Sequence, residues 1–257
     1  MRAFVAFFKK EMMEAFRSGK LLLLGILFLA FGVMNPAIAK ITPWLMDLLS
    51  EEMAEIGMTV IEVQVDALTS WTQFFKNIPM ALIAFVFIYG SVFTREYEKG
   101  TLVLVLTKGL ARYKVVLAKT LATVLVWTLG YWLCFSVTYA YNAYFWDNSI
   151  AHHLLPAVLY WWIFGIFISA MIVFFSVLLD SYGGVLLATG GVVLASNLLE
   201  MIPKLADFVP TALMNGAGAL IFNTKAPSDY LIAFVIALAV SMACIAVSIP
   251  LFNKKQI

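Results

Sequence analysis

Serines, histidines and carboxylates are the groups from which this chain would have to build a catalytic site, and their spacing does not assemble one. Ser136, Ser169 and Ser176 fall in long apolar stretches. A serine nucleophile there would need a base at the same depth, and no histidine lies in such a stretch. His152 and His153 are neighbours in a short polar segment, which is poor geometry for a shared metal, and are read as surface residues. No H-E-x-x-H and no G-x-x-x-x-G-K-[ST] occurs, so neither a zinc helix nor a phosphate-binding loop is expected. Cys134 and Cys244 both lie in apolar stretches and are read as packing residues, not a disulfide. No metal site, no cofactor and no nucleic-acid partner is expected for this chain.

The charged chemistry gathers instead in one stretch at 95–119, REYEKGTLVLVLTKGLARYKVVLAK. Arg95, Lys99, Lys108, Arg112, Lys114 and Lys119 surround the bare hydrocarbon of Leu102, Val103, Leu104, Val105 and Leu106. A loop that only met water would not need that apolar run. Gly100 allows a sharp turn and Thr101 suits the start of a short helix, on which Leu102 and Leu106 share a face. T-L-V-L-V-L-T also alternates with period two, so a strand is equally allowed by propensity. Such a segment, apolar and flanked by charge, fits a groove on a partner protein.

The elements that position this stretch are set by composition. The chain has 257 residues, of which 63% are hydrophobic and 12% charged, with mean hydropathy +0.95. A water-soluble domain is near half apolar and a quarter charged, so the solvent for this surface must be lipid. Roughly 20 apolar residues span a bilayer, and stretches of that kind occur at about 21–41, 77–94, 116–145, 155–179, 184–202 and 230–252. The N-terminal segment has no small-residue cleavage site and is not expected to be a signal peptide. Asp180 and Glu200 sit near the ends of predicted spans, and span interiors are almost free of charge. That argues against an ion-coupled transporter and against a channel with charged rings. If the chain moves anything, the energy comes from another chain.

Lysine and arginine set the orientation. With both termini in the cytoplasm, thirteen of the 17 basic residues lie inside, and the acids lie mainly outside. Residues 1–19 read as an amphipathic helix on the membrane surface, with Phe4, Val5, Phe8, Met12 and Phe16 at helical spacing and Lys9, Lys10, Glu14 and Arg17 on other faces. Asn35-Pro36 is expected to kink the first span near its outer end. An acidic surface helix is then expected, with Leu45, Leu48, Leu49, Met53 and Ile56 on one face and Glu51, Glu52 and Glu55 elsewhere. Residues 203–229, rich in Pro and Gly, read as an outer re-entrant or interfacial hairpin too short to span. In the fifth span Gly184, Ala188, Gly191 and Ala195 line up on one face. Small residues let helices approach closely in lipid, either inside one subunit or across a seam between two. The fold class is therefore all-α polytopic, with six transmembrane helices, an N-terminal interfacial helix and an outer hairpin before the last span.

Glu96, Glu98, Gly100-Thr101-Leu102, Lys108-Gly109, Arg112 and Lys119 fall in an order that resembles the type-2 ABC exporter permeases. The resemblance extends to the amphipathic start, six spans, long first outer loop and outer hairpin, and so covers nearly the whole chain as one permease domain over residues 1–257. Members often have proline where Gly109 stands. The resemblance implies a permease dimer, of two identical chains or close paralogues, with two cytosolic ATPase subunits that carry the ATP and Mg. It makes residues 95–115 a coupling loop seated on the ATPase, with Glu96, Glu98, Gly100, Thr101, Leu102, Leu106 and Arg112 as coupling residues. The turn containing Asp180 becomes a second, smaller contact, and residues 1–19 become the elbow helix. It also implies a bacterial plasma membrane. A membrane scaffold or sensor that docks a cytosolic partner through the same loop is the other reading, and ATP-dependent movement of a solute separates the two.

Aromatic residues in the third and fourth spans, among them Trp127, Tyr131, Phe164 and Phe167, are candidates for a pathway wall. They suit an amphipathic or lipid-like solute better than a small ion. Permeases of this size resemble exporters of amphipathic peptides, including phenol-soluble-modulin and lantibiotic-immunity systems. A peptide is the first expectation, with hydrophobic drugs or lipids next.

Overall fold

The computed structural model describes residues 2–55, 65–107 and 109–255. Lys108 and Ile56 lie outside the described residues. Eleven α-helices follow in order: α1 (Arg2–Arg17), α2 (Lys20–Glu55), α3 (Ala67–Tyr89), α4 (Thr94–Lys99), α5 (Thr101–Thr107), α6 (Arg112–Phe145), α7 (Leu154–Leu178), α8 (Tyr182–Glu200), α9 (Ala212–Asn215), α10 (Ala217–Ile221) and α11 (Leu231–Lys254). Six of them, α2, α3, α6, α7, α8 and α11, are long and apolar enough to cross a bilayer. No strand occurs among the described residues. The protein is an all-α polytopic membrane protein. The alternating run at 101–107 is the helix α5, bracketed by Gly100 and Gly109 in the left-handed conformation at φ 63° and 84°. A short helix makes part of its backbone bonds within itself, whereas a lone strand here would have no edge to pair with.

The first span departs from expectation. α2 runs unbroken for 36 residues through Pro36 and Pro43, about 54 Å at ~1.5 Å per residue. It projects beyond the hydrocarbon layer instead of giving way to a separate surface helix. Pro36 has no N–H to offer the carbonyl four residues back, and that carbonyl belongs to Gly32. The hydroxyl of Thr138 on α6 donates to it at 3.0 Å. Asn35, buried beside it, donates to Thr138 Oγ1 at 3.3 Å and accepts from Asn77 of α3 at 2.9 Å. The proline is tolerated because neighbouring helices take up the freed group.

α7 is the central element. Within its most apolar window 72% is buried, against 11% for α8 at the edge. Large aromatic residues fill the middle: Trp71, Phe74, Phe85, Trp127, Tyr131, Trp161 and Phe164 form one core, in which Trp127, Tyr131 and Trp161 donate to backbone carbonyls and Trp71 to the Asn148 side chain. Trp127 Nε1 donates to Trp162 O at 3.1 Å and Tyr131 Oη to Val158 O at 2.8 Å. Residues 212–221 form α9 and α10, packed against α7 with Leu213, Ala217, Leu220 and Ile221 buried.

The tightest contact in this core is at Gly165. A Cβ there would sit 1.9 Å from the Trp127 ring, so even alanine must push the indole off its hydrogen bond. Overpacking of this kind costs about 1–3 kcal/mol. Gly165→Ala is expected to lower the melting temperature in detergent by several degrees. Gly190→Ala is the control, since nothing lies within 4 Å of its added carbon. Equal melting of the two variants would show that the core yields at this point.

Candidate functional site at the charged end of the bundle

Both ends of the chain meet at one end of the bundle, where Phe7 of α1 and Phe252 of α11 share a small core with Phe93, Leu102, Val115 and Val116. α1 is held there by charge as well as by hydrocarbon. Its apolar arc runs from Phe7 through Phe4 and Phe8 to Val5 and Phe16, and Glu11 sits inside that arc near Phe7. The bundle-facing part buries Phe7 and Ala15, while Val5 and Phe16 remain 58% and 73% exposed, free to meet lipid.

Glu11 is the first member of a closed ring of alternating charge. One of its oxygens lies 2.9 Å from Lys119 Nζ and the other 3.0 Å from Lys10 Nζ. Glu96 of α4 completes the ring, 2.7 Å from Lys10 and 3.0 Å from Lys119. The contact from Glu96 to Lys119 is an ion pair and lacks the alignment of a hydrogen bond. Lys119 also donates to the Val92 carbonyl at 3.0 Å. Its side chain is only 2% exposed, so the two carboxylates of the ring supply the opposite charge that water does not. Burial alone would pull the Lys10 ammonium down, but Glu11, Glu96 and Glu14 outweigh it and raise its pKa. Burial likewise pushes the Glu14 carboxyl up, and the 2.9 Å pair with Lys10 outweighs this and lowers it. Glu11, Glu14 and Glu96 bring carboxylate oxygens within 4.8 Å of one another, yet two ammonium groups already occupy their lone pairs. The ring joins α1, α4 and α6, three elements far apart in sequence.

A second set of contacts ties the C-terminus in. Arg112, the first residue of α6, donates to the carbonyls of Phe252, Asn253 and Lys255 at 2.8, 3.1 and 2.7 Å, closing off the end of α11. Lys255 pairs with Asp180 at 2.6 Å and donates to Val177 O at 2.7 Å. The turn between α7 and α8 is thereby fastened to the last residues described. Between these two clusters stands α5. Leu102 is fully buried in the small core, while Val103 and Leu104 are 38% and 64% exposed. Beside α5 an open cleft of about 500 Å³ is lined by Val103, Leu106, Gly109 and Arg112.

A family model described as ABC-2 family transporter protein matches residues 5–256. The chain belongs to that family. No curated protein matches it. Family membership makes this protein the multi-pass permease subunit of an ABC transporter, a transmembrane subunit without an ATPase of its own that works with an ATPase partner.

The positions singled out in the sequence divide sharply in the permease. Glu98, Gly100, Thr101 and Asp180 are exposed and Leu106 is half-buried. Glu96, Leu102 and Arg112 are instead used within the chain, the first in the charge ring, the second in the small core and the third on α11. Gly191 and Ala195 are exposed and Ala188 is half-buried, so that row of α8 faces away from the bundle, while Gly184 packs against Ser181 of its own turn. Trp127, Tyr131, Phe164 and Phe167 are buried in the core of the single chain. Of these only Phe164 also reaches a groove on the surface. Glu11 is not among the positions that the sequence pattern singles out, and Lys119 is singled out as a basic residue of the loop and of the family-like order rather than as a buried partner of Glu11. The sequence signal for both was a charge set inside an apolar helical arc.

Proposed function

We propose that this permease carries an amphipathic or hydrophobic solute out of the cell, a peptide first and a drug or lipid next, as one half of a dimer driven by cytosolic ATPase subunits that bind ATP and Mg. The observation that carries the choice of cargo is a groove of about 420 Å³ between α3 and α8, floored by Phe164 and Ile168 of α7. Its walls are almost wholly hydrocarbon, among them Leu82, Val86, Leu186 and Leu194. A wall of this kind offers nothing to a hydrated ion and much to an apolar side chain or acyl chain. The charged end of the bundle is read as cytoplasmic, because the basic residues concentrate there. Residues 95–115 are then the loop that meets the ATPase, residues 1–19 the elbow helix, and 203–229 the outer hairpin of a bacterial plasma-membrane exporter. The deciding experiment is ATPase stimulation of the complex reconstituted in vesicles across a panel of amphipathic peptides, drugs and lipids. Stimulation by the apolar panel is expected, and a response confined to small hydrophilic solutes would overturn the reading.

The second copy is placed against the small-residue row of α8. Gly191 has no atom of its own chain within 4 Å of an added Cβ, so Gly191→Leu is expected to leave the single chain within about 0.5 kcal/mol of wild type. It should nevertheless hold two subunits apart where backbones meet closely. Normal monomer stability with a loss of dimer on size-exclusion chromatography is the expected result. An undiminished dimer would move the seam elsewhere.

A further inference from the structure

We propose that the cleft between the polar face of α1 and α4 binds the phosphate of an anionic phospholipid headgroup. Its outer part, about 520 Å³, is lined by Arg17, Arg95 and Lys99. It continues past Ser18 and Lys20 to an inner cavity of about 40 Å³. Arg17, Arg95 and Lys99 are exposed, and among the described residues none of the three stands in an ion pair. Glu11, Glu14 and Glu96 share Lys10 and Lys119, which leaves one negative charge against the basic side chains of Arg17, Lys20, Arg95 and Lys99. The uncompensated charge of the cleft is therefore positive. At its inner end the Tyr89 hydroxyl is buried without a hydrogen-bond partner among the described residues, and the Lys20 ammonium stands 5.7 Å from the Tyr89 ring centre.

Depth selects the source of the phosphate. Lys20 opens the span α2 and Tyr89 closes the helix α3, so the inner end lies where hydrocarbon gives way to headgroups. Tyrosine and basic side chains gather at that level. A phospholipid arrives there with its phosphate already at the right height and its acyl chains beside the spans, whereas a soluble anion gains nothing from the location. Guanidinium groups suit a phosphate through paired N–H donors.

The test uses the purified full-length permease in detergent, titrated with phosphatidylglycerol or phosphatidylcholine and read by native mass spectrometry. Phosphatidylglycerol is expected to be held in preference. Each basic residue near a membrane surface changes affinity roughly fivefold, so the double variant Arg17→Gln/Arg95→Gln should weaken phosphatidylglycerol by about thirtyfold. Both side chains are exposed, so the fold should survive, and an unchanged melting temperature checks this. Lys9→Gln, exposed and outside the cleft, should bind as wild type. Equal retention of the two lipids, or a double variant that binds like wild type, overturns the proposal. Displacement by inorganic phosphate at equal concentration would make the site one for the free anion. A double variant that keeps its lipid but loses the ATPase subunit would make the cleft a protein-docking surface.

Discussion

Lys119→Met should unseat α1. The substitution keeps an unbranched side chain one atom shorter and removes the ammonium group with its bond to Val92 O, so Glu11 and Glu96 each lose one of their two cationic partners. Their side chains are 10% exposed, and Lys10, itself 40% exposed, is left to balance both. Breaking a buried ion pair from one side costs about 3–5 kcal/mol, because the orphaned charge stays buried. Removing all the charge at once is different, since a neutral, well-packed replacement is often no less stable than the buried pairs. The triple variant Lys119→Met/Glu11→Gln/Glu96→Gln should therefore recover much of what the single variant loses. Reaction of the buried thiol of Cys134 with a fluorescent maleimide during heating reports unfolding. Proteolysis of residues 1–19 reports release of α1. A single variant that melts like wild type and keeps α1 protected would mean that the ring contributes nothing to holding that helix.

The charge ring also shows where reading from sequence stops. The six spans were legible, because length and hydrocarbon content decide them locally. The amphipathic character of α1 was legible too, but an apolar arc says that a face is covered and not what covers it. Val5 and Phe16 point outward, whereas Phe7 and Glu11 point at α6. The pairing of Glu11 with Lys119 spans 108 positions, and no local period encodes it. Only the oddity of a carboxylate within an apolar arc, and of a lysine two turns inside an apolar helix, hinted that each needed the other. Pro36 marks the same limit. Its missing N–H is legible locally, yet the group that takes up the freed carbonyl is Thr138, a residue on another helix.

The same limit governs α5 and gives the sharpest test of the proposed coupling role of residues 95–115. Helical periodicity places Leu102 and Leu106 on one face and makes that face the natural candidate for an ATPase groove. Leu102 is in fact fully buried against Phe93, Val115 and Phe252, and so it fastens α5 to the bundle. The hydrocarbon left for a partner is Val103 and above all Leu104, 64% exposed. Aspartate at the two leucines should therefore do different things. Leu102→Asp drives an uncompensated charge into the small core, a cost of several kcal/mol, and should lower the stability and abundance of the permease before any partner is considered. Leu104→Asp meets water in the isolated chain and should leave folding within about 0.5 kcal/mol of wild type. In the complex it would place a charge in the centre of an apolar contact, where such changes cost 2 kcal/mol or more, about thirtyfold in affinity. Glu98→Ala, exposed at the rim, should be milder. The measurement is recovery of the ATPase subunit on the tagged permease at matched permease abundance, beside the melting temperature of each variant. Stable Leu104→Asp permease with little ATPase attached is the expected result. Full ATPase recovery with Leu104→Asp, at wild-type melting temperature, would remove the outer face of α5 from the docking surface.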